Sequence, residues 1–114
     1  MRDAAVIDMG SNSVRLLLVQ SGRTEQRLET TRLGKGVEAR RLQKEPMERT
    51  VQAVERFCAL ARGRGIERIH AFATSAVRDA ENRGELLALL RERCGLAVDV
   101  LSGEEEADLA YLGA

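Results

Sequence analysis

The chain predicts an α/β fold, a mixed sheet with flanking helices in the order βββαβαβα. Three observations carry that expectation. Short apolar runs bounded by turn residues, such as 5–7 and 14–19, read as strands. Between residues 46 and 94 apolar residues recur instead at helical spacing. The first three strands are joined by tight turns, whereas later ones are separated by helix-length crossovers, which deliver a strand parallel to its neighbour.

The elements follow in order. Ala5, Val6 and Ile7 begin a buried strand, Asp8 to Ser13 make a turn, and 14–19 return as a second strand. Ser21-Gly22-Arg23 turns the chain again, and Thr24 to Leu33 alternates loosely enough for a third, half-exposed strand. Leu33-Gly34-Lys35-Gly36-Val37 reads as a loop whose two glycines either approach a ligand or only turn the chain. Pro46 suits the first turn of a helix, with Met47, Val51, Val54, Cys58 and Ala61 on one face and Gly63-Arg64-Gly65 as its end. Ile66 to Ala73 is the fourth strand, followed at Thr74-Ser75 by a turn or short helix. Leucines 86, 87, 89 and 90 mark a helix from Arg83 to Cys94, with Asn82 available as its cap and Gly95 as its stop. Ala97 to Leu101 is the fifth strand. Ser102-Gly103-Glu104-Glu105 then has the form of a capping box, opening a last helix. A meander followed by crossovers, with helices covering the sheet, is the pattern of a ribonuclease-H-like layer.

Composition narrows the function classes. At 114 residues the chain has room for one domain and one core. Basic and acidic residues number 18 each, so no global field draws it to nucleic acid or an anionic membrane, and any anion site must be local. Only Lys35 and Lys44 are lysines, leaving arginine, the residue suited to bidentate phosphate contacts, as nearly all of the positive charge. Aromatics make up 3%, which argues against base-stacking platforms and specific nucleic-acid binding. Cys58 and Cys94 fall at apolar helix positions without metal-ligand spacing and read as packed, reduced thiols, consistent with a cytoplasmic protein. No apolar run reaches membrane-spanning length, and no signal peptide precedes the first strand. His70, the single histidine, lies within a strand and reads as structural.

Three polar stretches terminate strands or begin helices: Asp8 to Arg15, Thr74 to Asp79 and Ser102 to Glu106. Each has an ordinary reading, as a hairpin loop or as a helix start with complementary charge. The carboxyl ends of parallel strands, however, share one edge where ligands gather. With strands one, four and five parallel, the stretches converge, bringing carboxylates, arginines and an amide-lined turn into one crevice. Those are parts that can polarise a phosphate and activate water.

DMGSNSVRLLLV, followed by LGKGVE, ATSAVRDAEN and LSGEEEADLAYLG at these intervals, resembles the amino-terminal half of the exopolyphosphatase and guanosine-pentaphosphate phosphatase family, Ppx/GppA. The likeness spans nearly the whole chain. It implies the actin-like ATPase superfamily fold, in which two ribonuclease-H-like domains face each other across a cleft and hydrolyse phosphoanhydrides of polyphosphate or pppGpp with a divalent metal, Mg²⁺. It places Gly10, Ser11, Asn12, Ser13 and Arg15 in a phosphate-binding loop and Asp8 near the metal. It makes Arg78 a contact of the phosphate being cleaved and Glu106 the general base for water. No His or Lys is placed in sequence to activate the serines, so water is expected to attack directly. The family's second domain, with its own phosphate loop and further metal-binding carboxylates, is expected to be missing from these residues, and the 114 residues alone are expected to have little or no hydrolase activity.

Two other readings stand beside this one. The chain could be half of an actin-like ATPase or sugar kinase, although ATSAVRD and SGEEEA favour the phosphatase. It could instead be a module that binds phosphate-rich ligands without hydrolysis, self-associating through apolar surface left open by the missing domain.

Overall fold

The N-terminal meander forms as the alternation predicts: β1 (Ala4–Met9), β2 (Ser13–Gln20) and β3 (Arg23–Thr30) pair antiparallel in sequence. In the computed structural model residues 2–35 and 40–113 are described, with side chains through Asp108. Gly36 and Val37, the end of the glycine loop expected either to approach a ligand or only to turn the chain, and the side chain of Tyr111 lie outside these bounds. The remaining elements are α1 (Lys44–Gly63), β4 (Ile69–Ala73), α2 (Ser75–Arg78), α3 (Arg83–Cys94), β5 (Val98–Val100) and α4 (Gly103–Gly113). The five strands form one mixed sheet in the order β3-β2-β1-β4-β5, with β1/β4 and β4/β5 parallel. This is the ribonuclease-H-like arrangement that the crossover pattern predicts, with the residues after Thr74 taking the short-helix form.

One face of the sheet is the core. Ala5, Ile7 and Met9 of β1 and Val14, Leu16 and Leu18 of β2 are buried on alternate positions. α1 packs on β1 and β2 and against α3. Met47, Val51, Val54, Cys58 and Ala61 are all buried, and Thr50, Ala53 and Phe57 widen the stripe. Leu86, Leu90 and Cys94 of α3 close the cluster. Each fully buried aliphatic side chain removed from water contributes about 1.5–3 kcal/mol. The other face carries Asp8 and Arg15 as register partners, with Val6, Leu17 and Phe72 half-buried and Leu28 exposed.

Turn chemistry explains most boundaries. Ser21 and Gly22 both take positive φ, 53° and 77°, the twist a two-residue hairpin loop requires between Gln20 and Arg23. Gly95 (φ 69°) ends α3 in the left-handed conformation, with its N–H donated to the Arg91 carbonyl at 3.0 Å. The Ser102 capping box forms: Glu105 N–H donates to Ser102 Oγ and Ser102 N–H to Glu105 Oε1, both at 3.1 Å.

Three expectations are corrected. Ile66 does not begin β4; its N–H bonds the Ala61 carbonyl at 2.9 Å, so its buried side chain serves the end of α1 and the strand starts at Ile69. Leu33 is not part of β3. Thr31 and Arg32 N–H groups both bond the Asn12 carbonyl, Arg32 takes φ 52°, and the chain turns Leu33 into the core. Asn82 precedes α3 but makes no side-chain cap bond. Its amide instead grips Leu42, accepting from Leu42 N–H at 2.8 Å and donating to its carbonyl at 3.0 Å. Two bonds to a long connection displace one to a helix end.

Both cysteines are buried and free, as their helix positions predict. Burial pushes the Cys58 thiol up and the Cys94 thiol to about 11, which suppresses the reactive thiolate. His70 is exposed on β4. No helix among the described residues is long and apolar enough to cross a membrane.

Candidate active site

Parallel pairing of β1, β4 and β5 puts their carboxyl ends on one edge, and the chain is stitched across it. Thr74 N–H donates to the Met9 carbonyl at 3.3 Å, and Leu101 N–H to the Ala73 carbonyl at 2.9 Å. The three polar stretches therefore meet.

The β1–β2 turn is held from behind by its carbonyls. Gly10 N–H bonds Ser13 O (3.0 Å), Ser11 O accepts from Gly34 N–H (2.7 Å), and Asn12 O accepts from Thr31 and Arg32 N–H (3.0 and 2.9 Å). The N–H groups of Ser11 and Asn12 donate to no protein acceptor among the described residues. A turn with its carbonyls tied down and its amides open presents positive dipole ends outward, an arrangement suited to an anion. Gly10 is not in the left-handed region, so positive φ is not its reason for being glycine. The close approach is at Gly34, where a Cβ would lie 3.2 Å from Ser11 Cβ.

Side chains from all three stretches surround this turn. Ser11 Oγ and Ser75 Oγ are 3.2 Å apart, and Asn12 Nδ2 reaches Ser13 Oγ at 3.4 Å. Within the Thr74 to Asp79 stretch no motif distinguishes Ser75; its place directly after the polar end of β4 is the signal that marks it. Asp8 stands half-buried opposite exposed Arg15 in register. Burial raises its carboxyl above the ordinary 3.8, the Arg15 guanidinium pulls it down, and the charge of Glu106 raises it further. Arg78, at the end of α2, donates from Nη1 to Glu106 Oε2 and to the Leu101 carbonyl, both at 3.1 Å, and its Nε lies 3.6 Å from Asp79 Oδ1. Arg78 Nη2 and Glu106 Oε1 keep no partner among the described residues.

The Asp8 shift has a consequence for stability. A carboxyl whose pKa is raised by folding holds its proton more tightly in the native state, so its contribution is most favourable below the unfolded value near 3.8 and is lost as pH rises through the folded value. Asp8→Asn is thus expected to raise the thermal midpoint at neutral pH, the difference from the native chain closing as pH falls below the ordinary Asp range. An unchanged or lowered midpoint at pH 7 would contradict it.

Among the described residues no group of three or more His, Cys, Asp or Glu side chains could hold a metal ion by itself. Asp8 and Glu106 are two carboxylates near enough to feel each other. Magnesium commonly takes one or two carboxylates and completes its shell with phosphate oxygens and water, so Asp8, with Glu106 held by Arg78, suits a metal that arrives with a phosphate ligand.

Comparison with known proteins gives a consistent result. A profile of the Ppx/GppA phosphatase family matches residues 6–114. Exopolyphosphatase 1 of Mycobacterium tuberculosis is 33% identical over 114 residues, an alignment covering 94% of this chain and 33% of that protein. The crystal structure of the Aquifex aeolicus member of the family superposes with a TM-score of 0.86 at 37% identity, covering 97% of this chain and 38% of that one. An exopolyphosphatase structure from Cytophaga hutchinsonii gives 0.88 at 27% identity, over 95% and 36%. The chain thus spans about a third of the length of the curated exopolyphosphatase 1 it matches. With the fold, the matched span and the identity in agreement, the chain belongs to the Ppx/GppA phosphatase family.

Proposed function

We propose that these residues form the first wall of the active cleft of a phosphoanhydride hydrolase that releases phosphate from inorganic polyphosphate or pppGpp by direct attack of water. The observation that carries this reading is the meeting of Glu106, Asp8 and Arg78 beside a turn whose amides are open. The terminal phosphate sits on the Ser11 and Asn12 N–H groups, with Ser11, Ser13 and Arg15 directing its oxygens. Arg78 fixes Glu106 through Oε2, leaving Oε1 to accept a proton from water, while its free Nη2 reaches the phosphate. The water oxygen bonds phosphorus as the bridging P–O bond breaks, giving phosphate and a shortened leaving group. Mg²⁺, held by Asp8 and the phosphates, would supply charge neutralisation.

The second wall belongs to a further domain, consistent with the share of its relatives that this chain spans. Phosphate release from polyphosphate and pppGpp with Mg²⁺, compared between the 114 residues and a form continued to the length of the relatives, tests the reading. Activity confined to the longer form supports it; a longer form that binds both ligands and releases no phosphate overturns it in favour of a binding module.

Gly34→Ala probes the turn itself. A Cβ at 3.2 Å from Ser11 must displace that residue by a few tenths of an ångström. The expected result is tripolyphosphate binding weakened roughly tenfold by calorimetry with the thermal midpoint nearly unchanged. Undiminished affinity would mean that the Ser11 amide does not contact the ligand.

A further inference from the structure

β3 forms one border of the sheet, and its outer side is open. It pairs with β2 alone, in unbroken register from Ser13 opposite Thr30 to Gln20 opposite Arg23, with no bulge and no proline. Every second residue of a strand turns its N–H and C=O away from its neighbour, and no backbone group of Arg23–Thr30 has a partner outside β2 among the described residues. β5, at the opposite border, is three residues long. The long free border is the one able to template a further strand.

The border strand is held stiff from one face. α1 packs over β1 and β2 and sends arginines out to β3. Arg64 forks Glu25, with Nη1 and Nη2 each 3.0 Å from a carboxylate oxygen, and Arg56 holds Glu29 at 3.1 and 2.6 Å. On the other face Gln26 and Leu28 stand in register with Leu17 and Arg15. Leu28 is 61% exposed, the one exposed large hydrophobic side chain among the described residues.

The charge order of β3 is its own complement when reversed. From Arg23 to Glu29 it runs Arg, Thr, Glu, Gln, Arg, Leu, Glu. A second β3 laid antiparallel about a two-fold axis through Gln26 sets Arg23 opposite Glu29 of the second copy and Glu25 opposite its Arg27, so every charge meets its opposite. Paired side chains must share a face, so the axis passes through a residue and not between two. Through Glu25 it sets Glu25 against Glu25 and Arg23 against Arg27; through Arg27 it sets Arg27 against Arg27 and Glu25 against Glu29. Like charges directly opposite are destabilising, which rejects both. Axes through Thr24 or Leu28 match charges again but overlap three or five residues of the strand, against seven. Charges on a border strand usually deter pairing; here they select one register. That register also sets Leu28 against Thr24 of the second copy on each side of a Gln26–Gln26 pair, whose amides can donate and accept across the axis.

We propose that β3 is a self-recognition surface on which a second copy of the chain pairs antiparallel through its own β3, with Gln26 on the two-fold axis, joining two five-stranded sheets into one continuous sheet. The pairing does not depend on the hydrolase reading. A single added strand pair belongs to the small class of interfaces, below ~1,200 Å², so a Kd on the order of 10⁻⁴ M is expected.

Sedimentation velocity of the 114-residue chain from ~10 µM to ~1 mM, a range that brackets this Kd, tests the pairing. The expected result is a reversible monomer–dimer equilibrium, with the amides of Arg23–Thr30 gaining hydrogen-exchange protection as concentration rises. Arg27→Glu sets like charges opposite at both symmetric positions and should weaken the dimer roughly tenfold or more. Glu25→Arg should do the same. An equimolar mixture of the two variants should recover the native affinity, because each then faces its opposite. If either variant fails to fold, the exchange pattern of the native chain decides alone. A monomer throughout the range, protection that rises outside β3 and not within it, or folded reversals whose mixture stays monomeric overturns the proposal.

Discussion

Glu106→Gln, placed in a form of the chain long enough to turn over polyphosphate, is expected to lower kcat by ~10²–10⁴-fold, the usual worth of a positioned general base. The argument is geometric. Glutamine has the same shape, and Arg78 Nη1, 3.1 Å from Oε2, can still donate to an amide oxygen. The Ser102 carbonyl accepts Glu106 N–H at 2.9 Å whatever the side chain. The residue therefore stays in place and loses only the ability to accept a proton, so KM and the thermal midpoint should move little. Arg78→Lys gives the complementary result: lysine has no second nitrogen to take the place of Nη2, and its shorter reach brings the charge short of the point where Nη1 meets Leu101 O and Glu106, so kcat falls while the carboxylate remains. A Glu106→Gln enzyme that keeps its rate would sink the assignment of the base.

Truncating Ile7 to alanine is expected to cost ~2–5 kcal/mol, read as a shift in the urea midpoint. Ile7 is fully buried in the central strand, with Leu16 and Ala71 as its register partners on either side. Neither neighbour can close the space: Leu16 is itself fully buried, and Ala71 has no length to extend. A domain of this kind has ~5–15 kcal/mol of stability in total, so the loss is a large fraction of it. A cost below ~1 kcal/mol would mean that the core collapses around the gap more freely than its packing implies.

Much of this architecture is legible in the sequence because alternation and helical spacing state burial directly. Val14, Leu16 and Leu18 alternate with Arg15 and Leu17 on β2, and the α1 stripe from Met47 to Ala61 is the buried stripe observed. The Ser102 box is equally local, requiring only residues three apart. The misread boundaries share a cause. Ile66, Leu33 and Asn82 each follow a partner distant in the chain or across a turn, and neither propensity nor spacing registers such a partner. The candidate site divides the same way. Asp8 stands out as a carboxylate at the end of a strand, and Arg78 and Glu106 follow from the resemblance of their motifs to the family, whereas Ser75 and Gly34 are ordinary until the fold sets them against Ser11.

The parallel order of β1, β4 and β5 also governs when the site exists. Nearly the whole chain separates Asp8 from Glu106, while the β1–β2–β3 meander closes through short turns. Local hairpins form quickly, and parallel strands must first close long loops. A folding chain would thus own its amide-lined turn early and its carboxylate and arginine only at the end. An anion that needs both the turn and the arginine binds only the finished domain, so its presence stabilises that state alone.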